Sequence, residues 1–304
     1  MATVFAGYRG FADIAGVGQV RFADAGITAR QEINAPDLIM GDWDHDAYVY
    51  GPIEVGGTIS GPVTETFVCG SGGGTGLWNW GVVRNGTCGL LNADTLTLYY
   101  YCGDAGSGYG SAREFSGMLV NSLNFSCAAG DVAQFSVDVM GSMAGAWQET
   151  TTIPPLTFAE KLITWDKVGV TVTAGADLWV PPATIQYSNF DFTISNNLQV
   201  VYSLGQTNLF PYEIVPGLRT ITGSISVYNA PEADGADAWA DYLAANVGRI
   251  SFSVGGGAGS ICPALDIDMA VRFHRVEPAS STGPVISSIG FTGVTHQTGT
   301  AWEA

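Results

Sequence analysis

Charge is scarce in this chain, and lysine is nearly missing. Charged residues make up 13% of the 304 positions, against roughly a quarter in an ordinary soluble domain. Two lysines, Lys161 and Lys167, and nine arginines stand against 28 acids, for a net charge of −17. Such a surface repels phosphate, which excludes a nucleic-acid binder of the basic-patch kind. A chain this poor in solvating charge is expected to bury much of its surface in partners. The five cysteines (Cys69, Cys88, Cys102, Cys127 and Cys262) form no CxxC pair, so zinc and redox motifs are absent. Buried free thiols are the expectation, with a disulfide among Cys69, Cys88 and Cys102 as the alternative. The three histidines, His45, His274 and His296, sit in no HExxH, and no GxSxG occurs. Gly70 to Gly76 is Gly-rich but lacks the Gly-Lys-Ser/Thr ending of a phosphate loop. No apolar run approaches the roughly 20 residues that cross a bilayer. Residues 1–10 show no apolar signal core, so synthesis and retention in the cytoplasm are expected.

Apolar material, by contrast, is plentiful: 46% of residues, enough for a sizeable core. Glycine is abundant at 41. Helix-spaced stripes are few, while Thr, Val, Ile and aromatics recur in short alternating runs, the mark of strands. Ile221, Ile225 and Val227 alternate with Thr222, Ser224 and Ser226. Leu265, Ile267, Met269, Val271 and Phe273 share one face of a strand, with Asp266, Asp268 and Arg272 on the other. Phe190 to Ser195 and Phe135 to Val139 split the same way, placing Asp191 and Asp138 on the polar side. Each sheet should therefore have one core face and one small, polar, mildly acidic face.

The chain also resembles itself. Tyr48 to Gly61 is similar to Phe210 to Gly223, with Thr58-Ile-Ser-Gly61 matching Thr220-Ile-Thr-Gly223 in register. Gly26 to Ile33 lies where Asp191 to Leu198 lies in the second copy. Each half closes on two strands around a short turn, Asn121 to Gly141 in the first and Met269 to Gly293 in the second. The expected division is 1–150 and 151–304, meeting near the Pro-bearing stretch Thr150 to Pro155. The first half carries a Gly/Cys-rich insert at about 69–111, of which Gly70 to Gly89 reads as an elaborated loop with a vestigial helix as the alternative. In the second half, Asp234 to Asn246 reads as a helix. Acids open it, Trp239, Tyr242 and Leu243 share a face, and Gly248 ends it.

Three features together carry a resemblance to the tail tube proteins of long-tailed bacteriophages of the siphovirus type. They are the run Phe192-Thr-Ile-Ser-Asn-Asn-Leu198, the segment Pro216 to Tyr228, and the closing strand pair of each half. The resemblance covers residues 185–294 well, and 20–65 and 117–141 more loosely. It implies a mainly β chain of two tandem sandwich or barrel domains, each with about one flanking helix. In that family the inner sheets join edge to edge and line a channel, six domains completing a ring. Two domains per chain imply a trimeric ring with pseudo-sixfold symmetry, alternatively a hexamer, stacking into the tube of the virion. The implied partners are further copies of itself, the tape-measure protein and transiting double-stranded DNA in the lumen, and the tail terminator and distal tail proteins. No cofactor, metal or membrane is implied, and no enzymatic activity.

On this reading Asp138, Asp191, Asp266 and Asp268 face the lumen, where sparse acids let DNA pass without sticking. The loops 34–52 and 70–89, with Asp42, Asp44, Asp46, Trp78 and Trp80, are expected to join one ring to the next. Asp42 to Asp46 looks at first like a calcium loop, but the required Gly is Ala47 and the twelfth position is Ile53. Asp266 and Asp268 share a strand face as a glycosidase pair might, yet nothing supplies a cleft. Two other classes compete. Trp78, Trp80, Trp147 and Trp165 suit the sugar platforms of an extracellular carbohydrate-binding sandwich, although core and interface filling accounts for them better. A capsid or baseplate β protein would share the composition.

Overall fold

The fold is described from a computed structural model, which covers residues 10–15, 17–34, 49–65, 76, 80–81, 84–85, 90–91, 93–101, 110–150, 161–173, 187–205, 208–228, 247–255, 265–278 and 286–293. The strands of residues 10–150 are β1 (Gly10–Ile14), β2 (Gly18–Arg21), β3 (Asp24–Ala25), β4 (Thr28–Asn34), β5 (Val49–Pro62), β6 (Arg84–Asn85), β7 (Leu90–Leu91), β8 (Asp94–Tyr101), β9 (Gly110–Ala128), β10 (Gln134–Gly141), β11 (Met143–Ala144) and β12 (Gln148–Thr150). After a 3-10 turn at Trp165–Lys167 come β13 (Val168–Thr173), β14 (Tyr187–Ser195), β15 (Gln199–Val201), β16 (Glu213–Val215), β17 (Thr220–Tyr228), β18 (Val247–Val254), β19 (Leu265–Pro278) and β20 (Ile286–Gly293). The chain is mainly β, as its alternating pattern predicts. The strands expected at 135–139, 190–195, 221–228 and 265–273 are all present. The helix expected at 234–246 lies outside the described residues.

All pairings are antiparallel, and one sheet path runs β13-β18-β19-β20-β17-β14-β9-β10-β5-β3. Within it, β5-β10-β9 and β17-β20-β19 follow the same order, each with an earlier strand (β3–β4 or β14) on the outer side of β5 or β17. Both β9 and β19 are long and serve two neighbours in turn. The first part of β9 pairs with β8 up to Met118, and its second part, from Ser122, pairs with β14. Likewise β19 pairs with β18 over Leu265–Arg272 and with β20 from Val271 onward. The strand Asp94–Tyr101 corrects one expectation. Residues 94–101 of the supposed insert are an ordinary sheet strand between β1 and β9. Its apolar positions Leu96 and Leu98 are fully buried.

Burial follows alternation. Phe135, Val137 and Val139 of β10 and Phe190, Phe192 and Ile194 of β14 are buried, their intervening residues only half so. In the first half Ala12, Ile14, Leu96, Leu98 and Phe115 share one core with Val55, Ile59, Val137 and Val139, making a two-layer sandwich. In the second, Phe252 of β18 lies 4.8 Å from Phe190 and 5.1 Å from Phe192, ring to ring. At Gly117 the backbone of β9 takes φ +63°, and an added Cβ would collide with the Ser142 hydroxyl. Glycine is needed there because L side chains disfavour that region; it marks where β9 passes from one layer to the other.

The matched glycines of the internal repeat share one structural job. Gly61 stands opposite Phe135, which stands opposite Phe125; Gly223 stands opposite Phe291, which stands opposite Phe273. Phe192 links the two triplets, pairing with Phe125 on one side and Gly223 on the other. A Cβ at Gly223 would sit 2.5 Å from the Phe291 ring and 2.5 Å from the Asp191 carbonyl oxygen. Glycine leaves the room that the phenylalanines fill. Gly223→Val should therefore cost about 1–3 kcal/mol of stability, read as a lowered thermal midpoint, whereas Thr222→Val on the exposed face should leave it nearly unchanged.

Candidate functional site

The face of the sheet turned away from the core is built from small polar side chains. One register row crosses eight strands: Asp24, Ser60, Ser136, Asn124, Thr193, Thr222, Thr292 and Arg272. A parallel row holds Thr58, Asp138, Ser122, Ser195 and Thr220. A third holds Ser126, Asp191 and Ser224. Asp138 and Asp191 thus share the polar face, as their place in the alternation predicts. Both are half-buried among neighbours. Asn121 Nδ2 donates to Asp138 at 2.7 Å, and the Ser224 hydroxyl donates to Asp191. These bonds hold the carboxylates close to the sheet, so the face is flat as well as polar.

Asp266 and Asp268 are placed differently. They stand opposite Ser253 and Ser251 of β18, on the part of β19 before its pairing with β20 begins. The structure therefore does not bring them into the rows of Asp138 and Asp191. Trp80 is a second correction. It is 2% exposed, within the main core, and its N–H bonds the Gly76 carbonyl at 3.3 Å. A side chain needed inside its own subunit is not available to a neighbouring ring. Asp42, Asp44, Asp46 and Trp78 lie outside the described residues. Of the other tryptophans weighed, Trp147 and Trp165 are half exposed. The Arg113 guanidinium lies 5.7 Å from the Trp147 ring centre.

Residues not singled out from sequence tie this face to the junction between the halves. The register of β9 against β10 shifts between Asp138 and Val139, leaving Asn121 as the extra residue of a bulge. The bulge aims Asn121 two ways: its amide nitrogen bonds Asp138, and its side-chain oxygen accepts from Leu198 N at 3.0 Å. The Asn121 carbonyl accepts from Asn196 N at 2.7 Å. Asn196 is fully buried. Its side-chain nitrogen donates to the Gly81 and Val120 carbonyls at 3.1 and 2.9 Å, and its oxygen accepts from Arg219 Nε at 2.9 Å. Only the Asn-Asn pair at 196–197 hinted at this, since Asn serves such local bonding well.

Chemically the face offers hydroxyls, amides and isolated carboxylates. Among the described residues no group of three or more His, Cys, Asp or Glu could hold a metal. Cys127, whose strand borders the face, is buried and free. Burial, and then the nearby Asp131 charge, pushes its thiol pKa up, which keeps it protonated and unreactive. A cleft of about 340 Å³ opens between the β15–β16 hairpin and the first-half strands, and Arg30, Glu54, Asp138 and Tyr202 line it. No helix among the described residues is long and apolar enough to cross a membrane. Asn196→Ala would remove two hydrogen bonds to buried carbonyls and one from Arg219 Nε, so a loss of about 2–4 kcal/mol is expected. Chemical denaturation checks it, with Gln199→Ala, at an exposed strand position, as the control.

Two comparisons bear on this arrangement. The family model described as phage tail tube protein matches residues 3–293, nearly the whole chain. No curated protein matches it.

Proposed function

The chain belongs to the phage tail tube protein family and is a structural protein of the virion tail; we propose that it closes into rings whose polar sheet face lines a DNA-conducting lumen. The observation that carries this reading is the eight-strand array itself. It has one apolar face turned to the core and one face of Ser, Thr and Asn with sparse acids. On this reading each half supplies one tube domain of four strands, and three chains make a ring with pseudo-sixfold symmetry. Rings then stack into a tube around the tape-measure protein and, later, around DNA. The tail terminator and distal tail proteins bind its two ends.

The physics supports this use of the face. Hydroxyls and amides offer DNA only weak, interchangeable contacts, and carboxylates repel phosphate. Lysine and arginine would release counterions and hold the strand. Only one end of the long row carries a base, Arg272. The β15–β16 hairpin supports polymerisation. Leu204 is 102% and Leu218 80% exposed, and Val201, Tyr202, Tyr212 and Val215 are also exposed. So much apolar surface on one small element is costly in a monomer and suits contact with another copy. The loop at Asp42 to Asp46 remains part of the proposed ring-to-ring contact.

Negative-stain electron microscopy of concentrated protein at raised salt tests the reading. Rings or hollow tubes with a central channel are expected, threefold in true symmetry. Rings of six chains would replace the trimer with the hexamer, and a monomer that binds glycan would end the tube assignment. Reversing the lumen charge with Asp138→Lys and Asp191→Lys should leave tube assembly intact. In phage carrying the variant it should slow DNA ejection, with a delay that shrinks as salt is raised. Ejection at the parental rate would remove these two carboxylates from the lumen.

A further inference from the structure

The chain passes from one half to the other through a segment that is built into the first half. Residues 161–165 belong to the second half by the sequence division. Yet Ile163 is 3% exposed and shares the main core with Val63 and Ala133, both fully buried. Its backbone bonds two stretches of the first half at once. Ile163 N donates to the Val63 carbonyl at 2.9 Å, and the Ile163 carbonyl accepts from Ala133 N at 2.9 Å. On either side, Glu65 N donates to the Lys161 carbonyl at 3.3 Å, and Trp165 N donates to the Asp131 carbonyl at 3.0 Å. The bridges Thr64–Leu162 and Val132–Thr164 are both antiparallel. Residues 161–165 are thus a strap laid from the end of β5 to the approach of β10, with Ile163 as its apolar anchor.

The far end of the strap is tied elsewhere. The Thr164 hydroxyl donates to the Asp166 carboxylate, and Lys167 N donates to the Thr164 carbonyl at 2.8 Å, which turns the chain at Trp165–Lys167. β13 follows at once and pairs with β18 along its whole length, while Gly255 N donates to the Lys167 carbonyl at 2.9 Å. β18 carries Phe252, which packs across the core on Phe190 and Phe192 of β14. One end of the strap is therefore bonded to the layer in which the halves meet, and the other to the opposite layer of the second half. Such a tie spans the angle between the halves.

The pairing of β9 with β14 does not fix that angle by itself, because the twist between neighbouring strands ranges over about 25°. A ring tolerates less. Head-to-tail copies close into a ring only if their rotation closes, and otherwise grow as an open helical array. Going from three two-domain chains to four lowers the angle per half from about 60° to about 45°. We propose that the strap, anchored by Ile163, sets the angle between the halves and with it the number of chains that close a ring. The inference rests on the tube reading and deepens it: sheet pairing joins the halves, and the strap fixes the angle at which they are joined.

Two substitutions loosen the strap without touching the β9–β14 pairing. Ile163→Ala removes most of the anchor. Trp165→Pro deletes the N–H that bonds Asp131; Thr164 is extended at φ −95° and ψ 161°, and position 165 opens the 3-10 turn, so proline fits there. Should Ile163→Ala melt below the assay temperature in circular dichroism, Trp165→Pro carries the test alone. In negative-stain images the parent should close at one ring size. The variants should lose that single size and give mixed rings and open arcs. A covalent strap should reverse the loss. Val132 and Thr164 stand opposite each other between two flanking hydrogen bonds, the closely spaced kind of antiparallel pair. Adding Val132→Cys with Thr164→Cys to either variant, with the cross-link confirmed by mass spectrometry, should restore the single size, and a reductant should abolish it again. Folded variants that close at the parent's single size, a mixture unchanged by the cross-link, or a parent that itself closes at several sizes would each overturn the inference and leave the tube reading standing. A folded parent that forms neither rings nor tubes would overturn both.

Discussion

The antiparallel pairing of β9 with β14 is the contact on which the rest depends. It turns two like-ordered sets of strands into one continuous sheet rather than two sandwiches on a tether. Its apolar side is a cluster of rings: Phe125 lies 5.4 Å from Phe190 and 5.6 Å from Phe192, and both of those pack on Phe252. Aromatic neighbours at these separations add to the burial of their area. The polar side is fixed by the bulge at Asn121 and by Asn196, whose bonds reach Gly81 and Val120 of the first half and Arg219 of the second. Buried amides of this kind fix one register, since a slip by one residue would leave each of them unpaired.

Once the halves share a sheet, the character of its two faces follows. Within this array the strands turn Phe125, Val137, Phe192, Ile225 and Phe291 to the core, so the Ser, Thr, Asn and Asp residues accumulate on the opposite face. No single strand makes that surface; it exists because eight strands keep one register. An enzyme needs a concave, water-excluding site with converging groups. This face offers a broad field of similar hydroxyls with Asp138 and Asp191 each held by one neighbour. That character accords with membership of the phage tail tube protein family, and it is what the proposed lumen would require.

Much of the strand plan was legible in the sequence because alternation is a local signal. Period-two patterns at 135–139, 190–195 and 221–228 dictate which residues enter the core, and the structure follows them. The repeat signal at Gly61 and Gly223 was legible because both hold matching places in the register, each opposite a phenylalanine, and at Gly223 an added side chain would strike the Phe291 ring. Other features were hidden. Asp94–Tyr101 sits among glycines and cysteines that suggest a loop, and it becomes a strand because β1 and β9 flank it on both edges. Trp80 looked like a contact residue because its neighbours are Gly-rich, yet it is drawn into the core, where a large ring gains most from burial. Asn196 looked like any loop asparagine. Its importance comes from carbonyls 76 and 115 positions away.

The sequence by itself determined the class of the chain, its two-faced strands, its shortage of positive charge and the order of its repeated segments. These are properties of composition and of neighbours two residues apart. Only the tertiary structure decided that β9 meets β14, and that Asp138 and Asp191 share rows with residues from several other strands while Asp266 and Asp268 fall beside β18. The physical reason is that strand register is a long-range property. It is set where distant backbone edges find each other, and nothing in a local pattern of alternation names the partner.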